Sequence, residues 1–172
     1  IMLKNRVVVK KYDSKWEVEF NKIKNNLEVV LSGLVNGIEH VGSTSIPGVS
    51  AKPIIDIVII IPDYSIFPII KERLGSIGYI YQGDLGIKER EAFYYSGDDG
   101  LMRRPVYVCL EDSKEFKRHI GFRNYLRDNK KLRDEYNQIK FKGSKIKPEG
   151  IKDYIRNKKE FVNKIYSVLD LN

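Results

Sequence analysis

The stretch Glu39–Ile60, EHVGSTSIPGVSAKPIIDIVII, joins a short apolar segment, a cluster of small polar residues and a long apolar segment that contains one acid. Gly42 lets the backbone turn and approach a ligand closely, because it has no side chain. Ser43, Thr44 and Ser45 follow it with hydroxyls and successive backbone N–H groups, which are donors suited to phosphate oxygens. The stretch therefore predicts a strand, a phosphate-binding turn and a second strand.

Asp56 lies inside the second predicted strand, among isoleucines and valines whose density predicts burial on both faces. A carboxylate is costly to bury there unless it is paired, hydrogen-bonded or bound to a metal. Phosphate-holding hydroxyls beside a metal-holding acid are typical of nucleotidyl or phosphoryl transfer. Asp56 is thus the candidate catalytic residue and Mg²⁺ ligand, and Ser43 is a candidate phosphate ligand. The alternative is a plain loop, with Asp56 capping a backbone group or paired with a cation.

Size and composition set the class of protein. The chain has 172 residues, of which 42% are hydrophobic and 31% charged, as expected for a single globular domain. No apolar run reaches the roughly 18 residues of a membrane-spanning helix, and the start of the chain lacks the features of a signal peptide. These features predict a soluble, cytoplasmic protein that does not bind a membrane. Because the chain has one cysteine and two histidines, an internal disulfide and a Cys/His zinc site are excluded.

Positive charge is concentrated toward the C-terminus. Residues 103–172 carry 19 Lys and Arg against 10 Asp and Glu, which leaves 12 against 13 in residues 1–102, so the net charges are +9 and −1. A basic segment suits an anionic partner such as a nucleotide or another phosphorylated small molecule, although basic outer helix faces are the alternative. The basic runs contain no DNA- or RNA-binding signature, so nucleic acid is disfavoured as a partner.

Changes in hydrophobic periodicity predict one α/β or α+β domain. Strands are expected at 6–13, 38–41, 52–61, 79–82, 92–96 and 105–110, the last three antiparallel. Helices are expected at 14–34, over about ten residues up to 74, at 112–127 and 131–142, and from 148 onward. Ser14 with Glu17 and Asp112 with Glu115 are the expected helix caps, and Pro148 is expected to open the last helix.

Four separated motifs resemble the GrpB family, a set of bacterial proteins also found as an extra domain on some dephospho-coenzyme A kinases. The motifs are IEHVGSTSIPGVSAKPIIDI, GIKEREAF, HIGFRNYLRDNKKLRDEY and YIRNKKEFV. The likeness covers nearly the whole chain from KKYDSKWEVEF onward. It implies a single α+β domain over residues 1–172 with the nucleotidyltransferase fold of polymerase-beta-like enzymes. In that fold residues 1–110 would form a mixed β-sheet flanked by helices, and residues 111–172 a basic helical part.

The resemblance also assigns site residues. Gly42, Ser43 and Asp56 match the Gly-Ser turn and a metal-binding acid of that superfamily. The second acid of its Asp-x-Asp pattern would fall at Val58, which cannot bind a metal. Tyr107 replaces a histidine of relatives, and Glu91 or Glu111 is a candidate third acid, although solvent-facing roles are favoured for both.

Further candidates form a predicted phosphate-binding set around Asp56. The set comprises Gly42, Ser43, Thr44, Ser45, Lys52, Arg90, Arg123 and Lys158. Lys158 stands out because it interrupts the apolar stripe of the last helix at helical spacing, where it could reach a ligand or extend to water. The alternative for Lys52 is a solvated loop lysine, and Arg90 and Arg123 have nearby acids as alternative partners. His40 and His119 are interpreted as structural, and Cys109 as a buried thiol.

Two functions follow. The first is a Mg²⁺-dependent nucleotidyltransferase or phosphotransferase that binds a nucleotide at Gly42, Ser43 and Thr44, with Asp56 on the metal. The second is a catalytically inactive module on the same fold that binds a nucleotide, a coenzyme or a partner. Val58 favours the second function, whereas the intact turn and Asp56 favour the first.

Overall fold

The computed structural model of the protein describes residues 8–145 and 150–172. The sheet contains β1 Gly37–Val41, β2 Asp56–Ile61, β3 Tyr79–Tyr81, β4 Arg90–Tyr95 and β5 Val106–Leu110. The helices are α1 Lys15–Leu31, α2 Phe67–Ser76, α3 Lys114–Arg127, α4 Lys130–Ser144 and α5 Ile151–Val168. The predicted α+β class, with a helical C-terminal third, is confirmed.

The five strands form one mixed sheet in the order β1-β2-β5-β4-β3. The central pair, β2 and β5, is parallel, and the other three pairs are antiparallel. Ile57 lies beside Val106 and Ile61 beside Leu110. Asp56 therefore sits at the entry end of the central strand, just beyond its pairing with β5.

Helices cover the central strands on both faces, because successive side chains of a strand point to opposite sides. On one face Ile57, Ile59 and Ile61 pack in the core formed with α1 and α2. On the other face Val58 and Ile60 pack with Cys109 beneath side chains of α3. A third cluster joins α3, α4 and α5 to the loop after the Gly42 turn, through Ile46 and Val49.

Several predicted boundaries and caps were wrong. In residues 8–13, the described part of the first predicted strand, Lys10 makes a single bridge to Ala51 and no strand forms. The Ser14 side chain makes no cap bond, because the Asp13 carboxylate accepts the hydrogen bond from the Lys15 amide, at 2.9 Å. Helix α1 ends at Leu31 rather than Leu34.

The C-terminal helices differ from prediction in similar ways. Ser113, not Asp112, caps α3 by accepting a hydrogen bond from the Phe116 amide, at 3.2 Å. Pro148 lies outside the described residues, and α5 begins at Ile151. Ile155, expected in the apolar stripe of α5, is exposed.

Across the segments 8–145 and 150–172, no helix has both the length and the apolar character needed to cross a membrane.

Candidate functional site

The Gly42 turn lies directly against the Asp56 carboxylate. Gly42 has a φ of 73°, in the left-handed region that glycine tolerates best. A Cβ placed on it would overlap the Asp56 carboxylate oxygen Oδ2 and lie 3.0 Å from Asp56 Cγ. Glycine is therefore required twice, by the backbone conformation and by the space that the carboxylate fills.

We expect Gly42→Ala to lower the free energy of unfolding more than Gly33→Ala does. Gly33 also has a positive φ, 75°, but open space where its Cβ would be, so its substitution carries a backbone cost of about 1–2 kcal/mol without a side-chain overlap. The overlap with Asp56 should add about 1–3 kcal/mol at Gly42. Urea unfolding of both variants measures the difference, and equal losses would show that Asp56 does not press on the turn.

Hydrogen bonds inside the turn use the hydroxyls that follow Ser43. Thr44 Oγ1 donates to the Ile54 carbonyl at 2.9 Å and lies 2.9 Å from His40 Nε2. Because the Thr44 proton is already donated, His40 must donate from Nε2. Ser45 Oγ donates to the Gly42 carbonyl at 2.5 Å. The hydroxyls of Thr44 and Ser45 therefore hold the shape of the turn.

His40 behaves as the structural histidine that the sequence favoured. It is buried and stacks on Phe20, with 4.8 Å between ring centroids. Burial, together with the guanidinium groups of Arg127 and Arg123, lowers the pKa of His40 to about 4. The ring is therefore neutral at physiological pH, with its proton on Nε2.

Two arginines of α3 support the outer side of the turn. Arg127 donates from Nε and Nη2 to the Ser45 carbonyl, at 3.0 and 2.7 Å. Arg123 Nη1 donates to Glu39 Oε2 at 2.7 Å and to the His40 carbonyl at 2.9 Å. The structure thus places Arg123 in a cavity on the side of the turn away from Asp56.

The inner side of the turn opens onto a cleft of about 200 Å³. Among the residues that the structure describes, its charged lining consists of one acid, Asp56, and three lysines that come from three different segments of the chain. Lys52 follows the turn, Lys140 lies on α4 and Lys158 lies on α5. The remaining lining residues are Val9, Ser43, Thr44, Ala51, Ile54, Pro105 and Tyr154.

Lys140 is the most enclosed of these lysines, with 4% of its surface exposed. Its Nζ donates to Ser43 Oγ and, at 2.9 Å, to the Ser50 carbonyl. It also lies 4.3 Å from the centroid of the Tyr136 ring. Burial and the nearby Lys158 ammonium lower the pKa of Lys140 to about 7, although Asp56 acts in the opposite direction.

The Asp56 side chain forms no hydrogen bond or ion pair with the residues of 8–145 and 150–172, and it partly faces the cleft. Burial raises the pKa of Asp56 to about 6, against the opposing effect of Lys158, Lys140 and Arg103. Burial likewise lowers the pKa of Lys158, with Lys52 adding to the effect. Strongly shifted groups that share one cleft are typical of functional sites.

None of the acids expected from the sequence lies beside Asp56 in the sheet, and Glu39, which pairs with Val58 from β1, is bound by Arg123. Val58 lies on the same face of β2 and is buried, and Tyr107 of β5 is its register partner. Glu91 accepts a hydrogen bond from the Tyr81 hydroxyl, and Glu111 follows β5 at the end of the central pair away from Asp56. Among the residues that the structure describes, no three His, Cys, Asp or Glu side chains could hold a metal together.

Arg90 lies apart from the cleft. Its guanidinium stacks over Tyr107, 4.6 Å from the ring centroid, and the His119 ring is stacked with Tyr107 at 6.0 Å. Of the eight predicted phosphate ligands, four line the cleft beside Asp56, namely Ser43, Thr44, Lys52 and Lys158. Gly42 lies against the Asp56 carboxylate without lining the cleft. Ser45, Arg90 and Arg123 lie outside the lining.

Sequence reasoning missed Lys140, although a signal for it existed. Tyr136 and Lys140 are spaced i, i+4 on α4, and both are buried together with Gly143. A lysine on the buried stripe of a helix is the signal that singled out Lys158 on α5. Applied to α4, the same reasoning would have identified Lys140.

Solved structures define the class of fold. The chain resembles the Cid1 poly(U) polymerase with MgGTP bound, with a TM-score of 0.54 and 13% identity over 76% of this chain and 43% of that one. Identity this low supports the fold alone, which is nucleotidyltransferase-like. The chain also resembles the conserved protein GrpB from Enterococcus faecalis, with a TM-score of 0.79, 29% identity, and 93% and 95% of the two chains covered.

A family model described as GrpB protein matches residues 6–168. The chain belongs to the GrpB family, as its motifs predicted. It is 30% identical over 165 residues to the glutamate-rich protein GrpB of Alkalihalophilus pseudofirmus, covering 94% of this chain and 95% of that protein. It is 31% identical over 159 residues to YqkA of Bacillus subtilis, covering 92% of this chain but spanning less than half, 46%, of YqkA.

Proposed function

We propose that the cleft binds the phosphate groups of a nucleotide or of another phosphorylated small molecule. The observation that carries the proposal is that Lys52, Lys140 and Lys158 meet in one small cleft against a single acid. Protonated lysines would outnumber Asp56 by three to one, so the cleft attracts anions. Phosphate oxygens would accept hydrogen bonds from these ammonium groups.

The backbone of the turn supports the same ligand. The amides of Ser43 and Thr44 donate to no acceptor in the described part of the chain, because they begin the 3-10 turn Ser43–Ser45. Successive free N–H groups in a turn suit phosphate oxygens. Lys140 contacts Ser43 Oγ directly, which places its ammonium beside these amides.

A transferase that uses one metal ion is the second candidate, favoured by the unpaired state of Asp56 among the described residues. Mg²⁺ often takes one or two carboxylates and completes its shell with water and phosphate oxygens. Asp56 could hold one such ion, which would neutralise charge on the phosphates. Val58 and Tyr107 provide no carboxylate, so the residues do not fit a centre of two metal ions.

Binding of tripolyphosphate should be coupled to proton uptake by Lys140. Since the pKa of Lys140 is about 7, most of this lysine is neutral at about pH 8, and a bound anion favours its ammonium form. Calorimetric titration in two buffers with different ionisation enthalpies should show about half to one proton taken up at about pH 8, where Asp56 stays ionised and does not contribute. Salt should weaken the binding.

The same titration tests the proposed function itself. Tripolyphosphate and ATP should both bind without metal, and Mg²⁺ should strengthen ATP binding only if the one-metal candidate holds. If neither tripolyphosphate nor ATP binds at low salt, the proposed phosphate site is wrong. Binding without proton uptake would instead show that Lys140 is not part of the phosphate site.

A further inference from the structure

A second and larger cavity, of about 710 Å³, lies beside the phosphate cleft. Pro105 lines both, so the two cavities meet where β5 begins. The second cavity lies over the β4 side of the sheet and the loop that joins β4 to β5. Tyr94, Tyr107, Met102, Arg103 and Gln82 are the lining residues that matter below.

Tyr94 offers a free aromatic surface to this cavity. Its side chain is 43% exposed, and its ring belongs to no aromatic pair among the residues that the structure describes. Its neighbour Tyr95 differs, because the Arg104 guanidinium lies 3.8 Å from the Tyr95 ring centroid and Tyr79 packs beside it. Within this pair of tyrosines, Tyr94 has a face open to a ligand.

Arg103 offers a free cation at the same place. It is exposed and forms no side-chain hydrogen bond or ion pair within residues 8–145 and 150–172. The adjacent Arg104 is 4% exposed and is bound to Asp99 and Tyr79, so its role is structural. The guanidinium of Arg103 opposes the rise that burial causes in the pKa of Asp56, so its charge lies near the junction of the two cavities.

The rest of the lining suits the edges of a flat polar ring. Gln82 is exposed, and its side-chain amide carries both donors and an acceptor. Met102 adds a polarizable apolar contact. An aromatic face, a free guanidinium and an amide are the groups that stack on and hydrogen-bond a nucleobase.

We infer that this second cavity binds a nucleobase or a similar planar heteroaromatic ring, stacked on Tyr94 and contacted by Arg103. The inference rests on the proposed phosphate site and extends it to the neighbouring part of the ligand. The ring can belong to the nucleotide whose phosphates occupy the first cleft, or to a separate acceptor molecule. Stacking on one aromatic side chain contributes about tenfold to affinity.

The experiment compares ATP with tripolyphosphate on the wild type and on Tyr94→Leu, with Tyr94→Phe as the matched control that keeps the ring. If the ring and the phosphates belong to one molecule, ATP binds about tenfold more tightly than tripolyphosphate. That advantage disappears in Tyr94→Leu and persists in Tyr94→Phe. Tripolyphosphate affinity is the same in all three proteins.

A second titration tests whether the ring belongs to a separate acceptor molecule. Adenosine and uridine are titrated into protein that is saturated with tripolyphosphate. If the ring belongs to a separate molecule, a nucleoside binds beside tripolyphosphate and still binds when ATP is present, and Tyr94→Leu removes that binding. If neither ATP nor nucleoside binding depends on the Tyr94 ring, the inference is overturned while the phosphate site stands. If tripolyphosphate fails to bind but nucleosides bind through Tyr94, the phosphate site falls and the ring site stands.

Discussion

Lys140→Met should lower the affinity for tripolyphosphate by about a hundredfold, the largest loss expected from a single substitution. Lys140 is buried and bonded to Ser43 Oγ and Ser50 O, so its ammonium is held in place before a ligand arrives. Loss of a desolvated charge at a binding site costs about 2–5 kcal/mol. Calorimetric titration measures the effect at about pH 7, where much of Lys140 carries its proton.

The same variant should change how stability depends on pH. Burial lowers the pKa of Lys140 from its ordinary value of 10.5 to about 7, so the cost of burying the ammonium is fully present below about pH 7 and is relieved as the pH rises toward 10.5. The methionine variant lacks this cost. Its stability relative to the wild type should therefore be more favourable at about pH 7 than at about pH 9.5, by on the order of 2 kcal/mol.

Lys142→Met is the control, because Lys142 lies on the same helix and is exposed. We expect it to change neither tripolyphosphate affinity nor the pH dependence of urea unfolding. Unchanged tripolyphosphate binding in Lys140→Met would remove Lys140 from the site. An unchanged pH profile would show that its ammonium is not desolvated.

Asp56→Asn should strengthen tripolyphosphate binding about tenfold when no metal is present. Asp56 lies among the three lysines of the cleft and repels an incoming anion, so loss of its charge favours binding. Because burial raises the pKa of Asp56 to about 6, its charge is present above about pH 6 and is lost as the pH falls toward the ordinary value. The advantage of the variant should therefore shrink at about pH 5.

Mg²⁺ reverses the sign of this prediction if Asp56 is a metal ligand. Any gain in ATP affinity that Mg²⁺ confers on the wild type should then be absent in Asp56→Asn. Asp112→Asn, which alters an exposed acid near the start of α3, is the control and should behave as the wild type. Loss of metal-free tripolyphosphate binding in Asp56→Asn would contradict the view that the lysines hold the phosphates.

Local sequence predicted most of the fold because the strands carry strong patterns. The run of isoleucine and valine in β2 indicated burial on both faces, and the structure buries all but Asp56. The first predicted strand was wrong over residues 8–13, since Lys10 and Ala51 make a single bridge there. Apolar alternation alone does not supply a neighbouring strand. The helix caps were wrong because Asp13 and Ser113, each next to the expected residue, accept the amide hydrogen bonds at these helix starts.

In the candidate site, too, features formed by residues close in sequence were predicted, whereas contacts between distant residues were not. The turn and Asp56 are close in sequence, so small residues and one buried acid were sufficient to predict them. The contact between Lys140 and Ser43 joins residues 97 positions apart, and it depends on how α4 packs against the turn. Arg123 was expected near the phosphates, but α3 reaches the turn from its outer side. No local sequence pattern predicts which side of the turn α3 contacts.

The most direct test of the phosphate site is a titration of tripolyphosphate into isotope-labelled protein, followed by the backbone amide resonances. We expect the largest shifts at Ser43 and Thr44, whose amides donate to no acceptor in the described part of the chain. Smaller shifts should follow around Lys52, Lys140 and Lys158. Shifts confined to the basic outer faces of the helices, or no shifts at all, would contradict the proposed phosphate site.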